Sequence, residues 1–216
     1  MVNVTVIWPL AAGYLTVWQS GMSRPDASTL NFQQGQTIAN AVIVPVGPDG
    51  KIQVFNGSPG SVLVVVDVSG YTVAGVPSAM GTVASLTPAR IADSRTGMQI
   101  PAAVPSFSTA QVKVTGHGGI PDSGVLDVLA HVTVVWPWAS GYLTVWTVWP
   151  PGSENSRPDT SNLNFDAAGQ TVSNTAIALV VDAGLRIDPG SIQLFNGSFG
   201  SMQVIVDVTG YILIGT

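Results

Sequence analysis

VTVVWPWASGYLTVW, Val132 to Trp146, repeats VTVIWPLAAGYLTVW, Val4 to Trp18, almost residue for residue. In each, Val alternates with β-branched or polar residues, a Trp-Pro dipeptide stops the run, and YLTVW resumes it after a small turn. β-branched residues at a period of two describe a half-buried strand, and proline and glycine end it. The correspondence continues outward. After Trp18 come SRPDASTLNF, GQTIANAVIV, IQVFNGSPGS and VVVDVSGY, ending at Tyr71. After Trp146 come SRPDTSNLNF, GQTVSNTAIAL, IQLFNGSFGS and VIVDVTGY, ending at Tyr211. The second copy carries two insertions, TVWPPGSEN before Ser156 and VDAGLRIDPG from Val181 to Gly190. Both fall in Gly/Pro-rich joints, which marks them as loops on a duplicated scaffold.

The other blocks also read as short strands. Pro25 fixes the loop QSGMSRPDAS, and GPDG at Gly47 to Gly50 is a turn. Asn56-Gly57 suits a type I′ hairpin turn. SVLVVVDV, Ser61 to Val68, is apolar on both faces and is expected to be the most central strand, covered on both sides. TPARIADSRTGMQIPAAVP, FSTAQVKVTG and GHGGIPDSG precede the second copy and have no counterpart before Val4. No window of useful helix length escapes Pro or Gly. The expected fold is all-β, with two tandem related β-sandwich or barrel-like units. Residues 1–76 form a first repeat, incomplete at its N-terminus, and residues 77–216 a second, complete module. The incomplete unit is expected to expose strand edges that invite pairing with another chain or with residues 77–129.

Hydrophobic residues make up 46% of the chain and charged residues 9%, which excludes a disordered chain. The net charge is −5 and the seven basic residues are scattered. Nucleic acid and anionic membrane surfaces both need clustered Lys and Arg, so neither is an expected partner. There is no cysteine, hence no disulfide and no thiolate metal site. The N-terminus lacks the pattern of a signal peptide, and no run is long and apolar enough to insert as a transmembrane helix. With a matched block starting almost at Met1, the natural N-terminus is expected to lie further upstream.

TPARIADSRTG, VTGHGGIPDSGV, HVTVVWPWASGYLTVW, SRPDTSNLNF, AGQTV, LFNGS and VDVTGY together resemble a β-rich module found in tandem in large secreted actinobacterial proteins. There it accompanies cell-wall hydrolases, proteases and surface-anchored chains. The resemblance spans residues 87 to 212, and residues 4 to 72 as a module missing its first third. It implies an extracellular or cell-surface accessory role and carries over no catalytic residue. The Trp-Pro dipeptides Trp8-Pro9 and Trp136-Pro137 depart from the module, where Asn-Pro is commoner.

Six tryptophans stand against one glutamate and two histidines. Trp rings stack on sugars and anchor interfaces. Trp8, Trp136, Trp138 and Trp149 are therefore candidate ligand-binding residues. The alternative for the repeated set, Trp8, Trp18, Trp136 and Trp146, is packing in the core or between copies. Asp67 and Asp207 lie inside VDV strands, where a bare carboxylate is costly. Arg24 and Arg157, repeated in SRPD, are expected to pair with them, or turn amides do, as structural polar locks. Arg90, Asp93 and Arg95 in RIADSR are expected to tie a loop down through bidentate contacts. His117 and His131 lack the spacing of a metal site or triad. No cofactor or metal site and no catalytic residue is expected.

These readings describe a non-enzymatic structural or adhesive module that forms a homo-oligomer or joins a larger parent protein. A carbohydrate-binding module using exposed Trp is one alternative, and a phage or particle-surface decoration protein is another.

Overall fold

The structure, a computed structural model, describes residues 1–68, 71, 81–147, 157–159, 161–180 and 190–214. These residues are all-β, without a helix. The first repeat contributes β1 (Val2–Ile7), β2 (Gly13–Gln19), β3 (Leu30–Phe32), β4 (Ile38–Val42), β5 (Ile52–Asn56) and β6 (Leu63–Val68). The second contributes β7 (Val83–Asp93), β8 (Thr109–Lys113), β9 (Val125–Val135), β10 (Gly141–Thr147), β11 (Leu163–Phe165), β12 (Val172–Leu179), β13 (Ser191–Asn196) and β14 (Gln203–Leu213). Every pairing is antiparallel.

Each repeat is a two-sheet, sandwich-like unit. The first has the orders β4-β1-β6 and β3-β2-β5. The second has the same arrangement with one strand added to each sheet, β12-β9-β14-β7 and β11-β10-β13-β8. Alternation sets the packing. Val2, Val4 and Val6 of β1 face inward onto Leu15, Val17, Leu30 and Phe32. The second core repeats this pattern and adds Ile91, Ile100, Val104, Val112 and Val114 from the segment around β7 and β8.

Two local expectations are corrected. Asn56-Gly57 does not form a type I′ turn, because Gly57 is not among the positive-φ glycines. The Asn56 side chain organises a wider loop instead, accepting from Ser58 N at 3.1 Å and donating to Gly60 O at 2.8 Å. Gly57 is needed for space, since a Cβ there would lie 2.3 Å from the Tyr14 ring. The second correction concerns the apolar run 61–68. Its strand, β6, lies at the edge of its sheet and is exposed along its whole length. The counterpart β14 is the central, covered strand.

The repeats pack through polar contacts. The first unit's β3–β4 side lies on the outer face of the β12-β9-β14-β7 sheet. Asn31 Nδ2 donates to Ser173 Oγ at 3.1 Å, and Thr175 Oγ1 donates to Ala41 O at 3.0 Å. Asn40 Nδ2 lies 3.4 Å from His131 Nδ1. This docking explains why both faces of β9 are buried.

Candidate assembly interface

The two units differ most on one side. In the second, β7 covers the edge of β14 and β8 covers the edge of β13. In the first, no described strand covers the outer edge of β6 or β5. The consequence is large for matched residues. Val64 and Val66 are 37% and 40% exposed, whereas Val204 and Val206 are 0% exposed. Val54 is 41% exposed and its counterpart Leu194 is 0% exposed. Val64 and Val66 register with Val6 and Val4, so they belong to the inward-facing set and flank an open core. Covering such a side chain contributes on the order of 1 kcal/mol. An edge strand also presents unpaired backbone groups to any incoming strand.

Residues 83–113 show how this side is closed in the second unit. Between β7 and β8, Val104 exchanges two backbone bonds with Met202, at 2.8 and 3.0 Å. Asn196 Nδ2, besides its bond to Gly200 O, reaches Val104 O at 3.0 Å and Pro105 O at 2.9 Å. The matched Asn56 keeps the bond to Gly60 O.

One cluster of charged residues, Arg90, Asp93, Arg95 and Asp207, gathers where the second unit's sheet meets the first unit. Asp207 is 1% exposed and takes a two-pronged contact from Arg90, Nε to Oδ1 at 2.9 Å and Nη2 to Oδ2 at 3.3 Å. Asp93, also buried, takes Nε and Nη2 of Arg95 at 2.9 and 2.7 Å, the bidentate geometry proposed from RIADSR. A bulge makes this possible. The β7–β14 register shifts between Val206 and Asp207, so Ala92 and Arg90 stand opposite consecutive residues and Ile91 is the extra one. Strict alternation would put Arg90 and Asp93 on opposite faces. The bulge brings Arg90 Nη1 to 3.6 Å from Asp93 Oδ2. Burial pushes the Asp207 carboxyl up to about 6, against the pull of Arg90. Arg95 holds the Asp93 carboxyl below its ordinary value. His131, opposite Asp207 across β9–β14, is buried, which lowers it to about 4 and leaves the ring neutral near pH 7.

The expected partners of Asp67 and Asp207 are corrected. Arg24 and Arg157 do not reach them: their guanidinium carbons lie 3.7 and 3.9 Å from the ring centroids of Phe55 and Phe195. A planar cation on an aromatic face is favourable while the rest of the group stays hydrated. Asp67 is exposed on β6. Arg24, Arg90 and Arg95 line a cleft of about 210 Å³ between the repeats, with Tyr14, Asp26 and Thr133. Arg90 and Arg95 are committed to carboxylates there, and Arg24 rests on the Phe55 ring.

The tryptophans divide. Trp18 is buried and donates through Nε1 to Met22 O at 2.9 Å, and Trp146 is partly buried. Trp8 and Trp136 are 70% and 63% exposed, which corrects the core-packing alternative for them. Both hold positive φ, 45° and 47°. That conformation is rare for a bulky residue, and the following proline is held identically in each unit, Gly35 N to Pro9 O and Gly169 N to Pro137 O, both 2.8 Å. Trp138 is exposed, and so are Phe199 and Phe107, whose rings meet edge-on with centroids 5.0 Å apart. Trp149 lies outside the described residues. Among the described residues, no three metal-ligating side chains gather, and no helix is long and apolar enough to cross a membrane.

No protein-family model matches the chain, and no curated protein or solved structure matches it either.

The open side of the first unit accords with its missing opening segment, which leaves strand edges exposed. Two features were not apparent from sequence, the junction residues Asn31, Asn40, His131 and Thr175, and the Phe107–Phe199 contact. Only the last left a signal, the replacement of Pro59 in NGSPGS by Phe199 in NGSFGS.

Proposed function

We propose that this chain is a non-catalytic structural module whose work is assembly, and that the open β5–β6 side of its first unit is where assembly occurs. The carrying observation is that Val54, Val64 and Val66 are exposed while their counterparts in the same chain are buried. The partner is a second copy or a larger parent protein. The resemblance to modules of secreted actinobacterial surface proteins supports a site of work outside the cell or at its surface. Sedimentation over a wide concentration range tests the reading, with and without other chains of the same repeat type. A defined oligomer or hetero-complex supports it. A strict monomer in every mixture sinks it.

A second reading rests on a different observation. Trp136, Trp138, Phe107 and Phe199 expose aromatic surface in the second unit. Such rings suit the C–H faces of sugars, and this reading makes the chain a carbohydrate-binding module. Tryptophan emission titrated with cell-wall and plant polysaccharides tests it. A Trp138→Ala variant that responds to a glycan as the parent does would count against it.

A further inference from the structure

We infer that the open side of the first unit accepts a strand–loop–strand segment of the residue 83–113 pattern, one that carries an arginine opposite Asp67. This inference rests on the assembly reading and specifies its partner. The second unit supplies the template, because the covered edge and the open edge have nearly the same sequence. QVIVDV of β14 matches LVVVDV of β6, and IQLFN of β13 matches IQVFN of β5. On β14, β7 lies antiparallel with Arg90 opposite Asp207 and Ala92 opposite Val206. On β13, β8 lies antiparallel with Ala110 opposite Leu194 and Val112 opposite Ile192. Transferred to the first unit, the same pairings put the arginine against Asp67 and small or β-branched residues against Val66, Val54 and Ile52.

The segment joining the two strands has its own requirement. In the second unit Ile100 and Val104 are buried in the core, and Asn196 holds the carbonyls of Val104 and Pro105. The first unit retains that asparagine as Asn56, and Val62 at the place of Met202. The incoming segment therefore needs two strands with an apolar link between them. Backbone pairing would supply affinity, and the side chains would supply register.

Charge separates this partner from a second copy joined edge to edge. Two β6 strands would pair valine with valine but bring no cation to either Asp67, since LVVVDV contains none. A β7-like strand brings the arginine at the matching position. This chain's own residues 83–113 are already paired within its second unit. The donor is thus a further segment bearing the same pattern.

The test adds a synthetic peptide spanning residues 82–115 to the full-length chain and follows binding by calorimetry and amide exchange. The expected result is a one-to-one complex with slowed exchange along β5 and β6. A peptide with Arg90→Glu should bind at least about tenfold more weakly, and an Asp67→Arg chain should reverse that preference. Equal affinity for the two peptides would overturn the inference, as would protection confined to β13 and β14. If the peptide fails to bind but the chain alone forms a dimer with β6 protected, a second copy covers the edge. The donor-strand inference then falls while the assembly reading stands. If the peptide fails and the chain is a monomer in every mixture, both fall.

Discussion

Asp67 and Asp207 occupy the same position in the two repeats and opposite environments: Asp67 is exposed on an edge strand, and Asp207 is buried against Arg90 at 2.9 Å. The arginine comes from β7, which has no described counterpart beside β6. The VDV motif thus has one chemistry built in twice and satisfied once. Removing one partner of a buried pair leaves an uncompensated charge, which costs about 3 kcal/mol. Arg90→Ala should destabilise the second unit by that order in urea titrations. Asp67→Asn should change stability by less than about 0.5 kcal/mol. Similar losses from the two substitutions would contradict this assignment.

The pH dependence should show two opposed slopes. Burial lowers His131 from 6.5 to about 4, so between these values the unfolded chain takes up a proton that the folded chain refuses. Its contribution is present above 6.5 and lost as pH falls. Burial raises Asp207 from 3.8 to about 6, so the folded chain there keeps a proton the unfolded chain has released. That contribution is full below 3.8 and lost as pH rises through 6. The two nearly cancel between pH 4 and 6. In His131→Gln, stability should therefore fall as pH rises from 4 to 6, by up to about 3 kcal/mol. In Asp207→Asn it should rise over the same range by a similar amount. Urea midpoints at a series of pH values would show it, and parallel profiles for the two variants would refute it.

The strands and their all-β character were legible because they rest on local alternation, which the duplication states twice. That the incomplete first unit exposes strand edges was legible too, but which strand lies at the edge was not. LVVVDV and QVIVDV read alike, and what separates them is whether residues 83–113 lie alongside, a relation set far away in sequence. The arginine partners misled for a related reason. SRPD recurs with VDV, so pairing Arg24 and Arg157 with the aspartates looked consistent. Phe55 and Phe195 recur too, and their rings took the guanidinium groups. Trp8 and Trp136 read equally as ligand surface or as packing in the core or between copies, since repetition suits both. Positive φ before proline accompanies their outward position.

Gly13 and Gly141 open β2 and β10, and neither has positive φ. Space is the reason for glycine. A Cβ at Gly141 would lie 2.4 Å from Ser198 Cβ and 2.8 Å from Ser198 Cα, and one at Gly13 would meet Ser58 at 2.3 and 2.8 Å. Backbone atoms in a pinned loop cannot yield as a side-chain tip can. Gly141→Ala should cost about 2–3 kcal/mol, and Gly13→Ala should destabilise the first unit comparably. Thermal unfolding of each variant measures this, and a change within about 0.5 kcal/mol would mean the loop relaxes freely.

The open edge should also govern self-association. Val65 registers with Thr5 and lies on the opposite face of β6 from Val64 and Val66, so a substitution there spares the core. A lysine on an edge strand opposes pairing with another strand by charge and hydration. Val65→Lys should leave the urea midpoint within about 0.5 kcal/mol of the parent while lowering the mass seen by light scattering wherever the parent associates. A lysine at Ile177, exposed on β12 in the second unit, is the control and should leave association unchanged. If the Ile177 variant dissociates and the Val65 variant does not, the assembly surface lies on the second unit rather than along β6.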